Sequence, residues 1–196
     1  MPTAPLTARS ERTRSALCNA AMIRFLAQGV EATTAEEIAS DAGVTLRTFY
    51  RHFGSKHDLL FADYDSGLHW FRSALAERPA GEPVIESVNA AVFAFPYDVD
   101  AVTQIANLRV GALDPSRIVQ QMRRVQSDFA HALLDHLRSR HPDADDLGVT
   151  VAARAIAAAV FAGMEVWLQR EHRSLPELAQ LCRDALSTVR PAFRHY

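Results

Sequence analysis

Apolar residues recur at intervals of three and four along most of the chain, the spacing that puts side chains on one face of an α-helix. Leu17, Ala21 and Phe25 form the apolar stripe of a first helix, which we expect to end near Gly29. Alternating β-branched runs bounded by hairpin turns do not occur. The pattern predicts an all-α protein of about nine helices.

Caps and glycines divide the next stretch into short helices. Thr34-Ala-Glu-Glu37 is a capping box for a second helix, and Gly43 breaks that helix. Thr45 can cap a third helix of about two turns, which Gly54 ends. Ser55-Lys-His-Asp58 then caps a fourth helix. This order of signals predicts a compact N-terminal three-helix unit.

Longer helices follow. The fourth is predicted to reach about residue 77, and the others to cover residues 83–95, 100–113, 115–141, 149–172 and 178–193. Pro115 suits the first helical position after the cap Asp114, and Ser174-Leu-Pro-Glu177 is a further capping box. The helix lengths predict a division into a short-helix unit over residues 9–55 and a domain of longer helices over residues 56–196.

Composition adds limits on location and partners. The chain has 196 residues, 48% of them apolar, which is enough for a sizeable core. Arg154 and Glu165 interrupt the apolar run 149–168, leaving too few residues for the roughly 20 of a membrane span. Cys18 and Cys182 form no C-x-x-C pair. We expect a cytoplasmic protein with no membrane partner and two reduced thiols.

The net charge of −2 hides an asymmetry. Residues 1–57 hold seven Lys and Arg against five Asp and Glu, whereas the rest of the chain holds fourteen against eighteen. A polyanion-facing end, if present, is therefore the N-terminal one. The single lysine, Lys56, falls in the first turn of the fourth helix, where a phosphate is favoured.

The predicted third helix has an apolar face and a cationic face. Phe49 and Phe53 lie four residues apart on the apolar face, and a helix of two turns needs them to hold it to its neighbours. The side chains that remain displayed are Arg47, Thr48, Tyr50 and His52. Taken alone, this stretch could equally be an amphipathic helix with a solvated basic face.

With the turn at Gly43, the second and third helices form a helix-turn-helix, whose second helix fits the major groove of DNA. Arg47 could donate two hydrogen bonds to guanine, worth about 1–3 kcal/mol of discrimination. Leu46 or the Thr48 methyl could contact a thymine methyl. The side chains suited to phosphates are Thr34, Thr45, Tyr50 and His52.

Residues 16–60 resemble the N-terminal region of the tetracycline-repressor (TetR) family. The resemblance lies in the Ala-Ala pair, Phe25 four residues before Gly29, "EEIASDAGV" and "TFYRHFGSK". It implies that residues 9–55 are the DNA-binding domain and residues 56–196 the helical effector-binding and dimerisation domain. The protein it implies is a homodimeric regulator, usually a repressor, which leaves its operator when a small molecule binds the second domain. The family's DNA contacts fall on Thr34, Thr45, Leu46, Arg47, Thr48, Tyr50, His52 and Lys56.

Two positions depart from the family pattern. Arg47 stands where a small residue is frequent, so the operator sequence does not transfer from relatives. Glu36 stands where a basic or polar residue is frequent, and a carboxylate near phosphates lowers DNA affinity. Arg9, Arg12 and Arg14 could compensate as phosphate contacts, or could belong to a solvated tail.

Small residues crowd the run 149–168, which suits the four-helix dimer interface that the resembled family uses, or an intramolecular core. A dimer predicts a palindromic operator. The aromatic residues that could line an apolar effector pocket are Trp70, Phe71, Phe93, Phe95, Phe129, Phe161 and Trp167, with Asn107 or Glu165 as a polar group. Each aromatic residue could instead be helical core.

Other chemistry has little support. Asp128, His131 and Asp135 share a helical face that could hold a metal, although exposed polar faces are far commoner. We expect no cofactor. There is no G-x-S-x-G, P-loop, G-x-G-x-x-G or H-E-x-x-H motif, which disfavours an enzyme. A helical ligand-binding or scaffold protein without operator binding is the main alternative, and Glu36 is the residue that favours it.

Overall fold

The computed structural model describes residues 8–93, 99–170, 174–194 and 196. Across these ranges the chain forms nine α-helices and two short 3-10 helices, with no strand, so the all-α prediction is confirmed. The α-helices are α1 (Ala8–Gln28), α2 (Ala35–Asp41), α3 (Leu46–His52), α4 (Ala62–Ala76), α5 (Val84–Phe93), α6 (Val99–Ala112), α7 (Pro115–Arg140), α8 (Asp146–Leu168) and α9 (Leu175–Val189). The 3-10 helices cover Lys56–Phe61 and Arg190–Phe193.

The chain divides into two compact units. The first comprises the residues up to Asp63 together with Asn107–Asp114, and the second comprises Tyr64–Ala106 and Pro115–Tyr196. The first unit therefore includes the end of α6 as well as the three N-terminal helices. The predicted boundary between residues 55 and 56 falls inside this unit, and as a division of function it stays a prediction.

The local signals act at the N-terminal helices as predicted. In the capping box, Glu37 N donates to Thr34 Oγ1 at 3.2 Å, and the Glu37 carboxylate accepts from Thr34 N at 2.8 Å. Gly29 and Gly43 follow α1 and α2 with φ of 84° and 67°. Left-handed backbone of this kind favours glycine, which is why the helices end there.

Three helix starts differ from the prediction. Ser55 and Asp58 form the expected capping box, but the segment after it is the 3-10 helix Lys56–Phe61, and α4 begins only at Ala62. The start of α8 lies three residues before the predicted one because the Asp145 carboxylate accepts from Gly148 N at 2.8 Å. Ser174 similarly caps α9, which begins at Leu175.

The core of the second unit centres on α8, which packs against both α7 and α9. A side chain at Gly163 would lie 3.0 Å from backbone atoms of Cys182, so this glycine permits the close approach of α8 and α9. Cys182 is a buried free thiol, and burial raises its pKa to about 11. Cys18 forms no disulfide with any described residue.

By length and composition α8 could cross a membrane, and it is the only helix of that kind in the described ranges. Its buried residues, including Ile156 and Phe161, instead belong to the core that α7 and α9 share. The core helix of a globular protein passes the same test of length and composition.

Candidate nucleic-acid interface

Two buried phenylalanines, Phe49 and Phe53, anchor the third helix in the core of the first unit. Phe49 is 0% exposed and Phe53 3% exposed, and their ring centroids lie 6.1 Å apart. Tyr50 sets the edge of its ring against Phe49 at a centroid distance of 5.2 Å, yet remains 53% exposed. Because α3 has only seven residues, this packing holds the helix in place and fixes the direction of its outer side chains.

The outer side of α3 begins with a cap. Thr45 Oγ1 accepts from Thr48 N at 3.2 Å, and the two hydroxyls lie 3.0 Å apart. The predicted contacts that are exposed are Thr34, Thr45, Arg47 and Tyr50, and those that are partly buried are Leu46, Thr48, His52 and Lys56. The structure thus presents Arg47 and Tyr50 to solvent on a rigid helix, as a groove-reading helix requires.

Lys56 occupies a structural position that the sequence did not indicate. Its ammonium donates to the carbonyl oxygens of Val30, Glu31 and Thr33 at 2.8, 2.9 and 3.0 Å. An ammonium has three N–H donors, so these bonds use all of them. Lys56 therefore ties the loop between α1 and α2 to the segment that follows α3.

His52 is less available than the sequence suggested. Its Nε2 atom is buried and has no hydrogen-bond partner among the described residues. Burial lowers the pKa of His52, and the positive charges of Arg51 and Arg14 lower it further. A neutral imidazole with a buried nitrogen is a weak phosphate ligand.

Arg24 of α1 binds two carboxylates of α2 and so links the first helix to the helix-turn-helix. Its Nε and Nη2 atoms donate to the two oxygens of Asp41 at 2.5 and 3.0 Å, and Nη1 donates to Glu37 at 2.8 Å. The hydrogen bond from Arg24 lowers the pKa of Asp41, so that carboxylate stays ionised. Sequence reasoning missed this link, although the spacing of the two carboxylates on one face of α2 was a usable signal.

Two of the three proposed compensating arginines, Arg12 and Arg14, have partners of their own. The Arg14 guanidinium lies 4.5 Å from the centroid of the Phe53 ring, in a cation–π contact. Arg12 Nε donates to Ala8 O at 3.3 Å within α1. Glu36 and Arg9 are exposed.

Arg109 attaches the end of α6 to this unit. It is 5% exposed, and its Nε atom donates to Leu60 O at 2.5 Å. Its Nη2 atom forms an ion pair with Asp63, and the guanidinium lies 5.3 Å from the centroid of the Phe61 ring. No local sequence pattern indicates this contact, because Arg109 is 46 residues from Asp63.

The predicted effector residues are only partly brought together. Phe129 and Phe161 line a small apolar cavity in the second unit with Phe71, Val88 and Val92, and aliphatic side chains of α7 and α8 complete its wall. Phe129 lies between the other two aromatic rings, at centroid distances of 5.0 Å from Phe71 and 5.5 Å from Phe161. Among the residues that the structure describes, no polar side chain is part of the wall.

The other predicted effector residues lie elsewhere. Trp70 is 36% exposed, and the Phe93 ring lies 5.3 Å from the Arg183 guanidinium. Glu165 is exposed, and Asn107 belongs to the first unit. Phe95 is outside the described residues. As effector contacts, these residues stay predictions.

Asn89 is a polar residue that sequence reasoning overlooked. Its Oδ1 atom is buried and has no hydrogen-bond partner among the described residues. It sits in the apolar run of α5, one residue after Val88 and three before Val92. An amide in such a run was the available signal.

Metal sites are not evident in the described ranges. No three His, Cys, Asp or Glu side chains there are placed to hold an ion together, and this includes the set Asp128, His131 and Asp135.

Comparison with known proteins agrees with the geometry. A family model described as bacterial regulatory proteins of the tetR family matches residues 17–62. The HTH-type transcriptional regulator TcmR of Streptomyces glaucescens is 31% identical over 192 residues, covering 92% of this chain and 84% of the relative. SrpR of Pseudomonas putida, also an HTH-type transcriptional regulator, is 42% identical over 62 residues, covering 32% of this chain and 29% of the relative.

Solved structures show the same fold. SmeT, repressor of a Stenotrophomonas maltophilia multidrug efflux pump, matches with a TM-score of 0.56 and 22% identity over 93% of this chain and 92% of SmeT. FadR of Thermus thermophilus, a repressor solved with lauroyl-CoA, matches with a TM-score of 0.58 and 20% identity over 90% of this chain and 92% of FadR. TcmR aligns with 92% of this chain, the family model matches residues 17–62 and the helix-turn-helix geometry agrees with both, so the chain belongs to the TetR family of transcriptional regulators and is not an enzyme.

Proposed function

We propose that this regulator is a homodimeric, cytoplasmic repressor that binds a palindromic DNA operator and is released from it by a small apolar or aromatic effector. The observation that carries the proposal is the solvent-facing pair Arg47 and Tyr50 on a helix pinned by buried Phe49 and Phe53. SmeT and FadR are repressors, and FadR was solved in complex with lauroyl-CoA, which agrees with a ligand-responsive role.

At the DNA, we assign base reading to Arg47 and Leu46, near the N-terminus of α3. The threonines at the caps and Tyr50 contact phosphates, which fix the register of the helix in the groove. We assign Lys56 and His52 a structural role at this interface. The three donors of the Lys56 ammonium are used on carbonyl oxygens, and the His52 imidazole is partly buried and neutral.

The dimer is assigned to α8 and α9. The face of α8 that turns away from the core carries exposed apolar residues: Leu147, Val151, Ala158, Ala162 and Val166. Exposed apolar side chains on one helix face suit packing against a second copy, and the two alanines among them permit close approach. A two-fold dimer sets its recognition helices about 34–36 Å apart, which is one turn of DNA.

The test is selection of bound sequences from a random duplex library, followed by binding measurements on the selected site. We expect enrichment of a palindrome, and affinity that falls as salt rises. Arg47→Ala with Tyr50→Ala should remove specific binding, whereas Arg72→Ala, at an exposed arginine of α4, should not. A library without any enriched sequence would overturn operator binding and favour the scaffold alternative.

The dimer has its own test by sedimentation. Ala162→Arg places a charge on the exposed face of α8 and should convert the dimer to a monomer. Ala76→Arg, at an exposed position of α4, is the matched control and should leave the dimer intact. A wild-type protein that sediments as a monomer at micromolar concentration contradicts the assignment.

A further inference from the structure

The cavity in the second unit sets strict limits on its ligand. The described residues of its wall are all apolar, and the rings of Phe71, Phe129 and Phe161 form a contiguous aromatic cluster along it. A charged ligand would lose its hydration without gaining a partner in such a wall, which is unfavourable. Aromatic ligands gain edge-to-face and offset contacts with such rings.

The cavity is small. Its free volume is about 10 Å³, roughly the room of one water molecule. A ligand must therefore displace a side chain. Phe129 contacts both Phe71 and Phe161 and is only partly buried, so it is the side chain that we expect to move. Its movement would enlarge the cavity and break both ring contacts.

Asn89 supplies a polar group beside this apolar wall. At about 100° per residue, Val92 stands about 40° from Val88 around α5, and Asn89 about 60° beyond Val92. Asn89 thus lies next to the face of α5 that lines the cavity. Its Oδ1 atom is buried with no partner among the described residues. Buried hydrogen-bond acceptors in native proteins are nearly always paired. A bound ligand with a hydrogen-bond donor would pair this one.

We propose that the effector is an uncharged aromatic molecule carrying a hydrogen-bond donor, such as a phenolic hydroxyl. Its ring enters the Phe71–Phe129–Phe161 cluster, and its donor satisfies Asn89 Oδ1. This inference rests on the proposed function, since it names the chemistry of the molecule that releases the repressor. Asn89 sets specificity, and the aromatic rings supply the contact area.

The test compares two probes of nearly equal shape, 1-naphthol and 1-methoxynaphthalene, of which only the first can donate. Titration calorimetry on the full chain without DNA should give about tenfold tighter binding of 1-naphthol. Asn89→Leu should abolish that preference while retaining the methoxy compound, and Asn19→Leu, at an exposed asparagine of α1, should keep the preference. Equal affinities in the wild type, a preference that survives in Asn89→Leu, or no binding of either probe would overturn the proposal.

Two further measurements locate the site and separate the proposals. Ala157→Leu adds bulk to the cavity wall and should weaken both probes, with circular dichroism confirming the fold. If Ala157→Leu leaves both affinities unchanged, the probes bind elsewhere and the proposal is wrong. Anisotropy of a labelled selected operator then reports release. If the probes release the operator but 1-naphthol binds no more tightly than 1-methoxynaphthalene, the proposal about Asn89 is wrong and the proposed function stands. If 1-naphthol binds preferentially but the operator is not released, the proposed regulatory response is wrong and the binding site stands.

Discussion

The buried guanidinium of Arg109 is paired with the carboxylate of Asp63, joining the end of α6 to the start of α4 within the first unit. The same guanidinium donates to Leu60 O, so one planar group bonds two acceptors in different directions. A lysine ammonium cannot reproduce this fork geometry.

Arg109→Lys should therefore lower the free energy of unfolding by about 1.5–3 kcal/mol, the range for hydrogen bonds to charged groups. Urea unfolding followed by circular dichroism measures the change. Arg72→Lys, at an exposed arginine, is the matched control and should stay within about 0.5 kcal/mol of wild type. If both variants lose the same free energy of unfolding, the fork geometry of the Arg109 guanidinium does not contribute to stability.

Lys56→Met should destabilise the first unit, because three carbonyl oxygens lose their ammonium donor. We expect a loss of about 1–3 kcal/mol in urea unfolding, the cost of leaving acceptors unpaired. The slope of log affinity against log salt for the selected operator should stay nearly unchanged. A slope reduced by about 0.9 would instead identify Lys56 as a direct phosphate contact.

Gly43→Ala and Gly67→Ala should change stability in opposite directions. Gly43 has a φ of 67°, and an L-residue there is strained by roughly 1–2 kcal/mol even though its Cβ would meet nothing within 4 Å. Gly67 lies inside α4 with open space around it, so alanine should add about 0.5–1 kcal/mol. Thermal unfolding of both variants checks the signs, and a Gly43→Ala variant as stable as wild type would contradict the strain argument.

Acid should weaken the link between α4 and α5. Hydrogen bonds from Arg78, which have the largest effect, and from Ser87 lower the pKa of Glu82 from 4.5 to about 2. A carboxyl group whose pKa is lower in the folded state stabilises the fold above its unfolded pKa. That contribution is complete above about pH 4.5 and is lost as the pH falls toward about 2.

Glu82→Gln should accordingly be less stable than wild type near pH 6, and the difference should shrink as the pH falls toward 3. Urea midpoints measured across this range test the trend. Glu77→Gln, at a nearby exposed carboxylate, is the control and should show no such convergence. A Glu82→Gln deficit that is constant with pH would exclude the ion pair as its cause.

Much of the first unit could be predicted because its signals are local. The capping box at Thr34 and Glu37 and the left-handed turns at Gly29 and Gly43 each depend on residues within about four positions of one another. The burial of Phe49 and Phe53 follows from helical periodicity once the helix is assigned. The 3-10 start before α4 was not predictable, since its capping signals also suit an α-helix.

The sequence by itself determined the helical class, the helix-turn-helix and the family, because period, caps and motif are properties of neighbouring residues. Only the tertiary structure decided that Lys56 holds carbonyls 23 to 26 residues away and that Arg109 reaches Asp63 across 46. It also decided which aromatic residues share a cavity and that Asn89 Oδ1 has no hydrogen-bond partner among the described residues. Such contacts depend on how all the helices of a unit pack, and no local pattern encodes that packing.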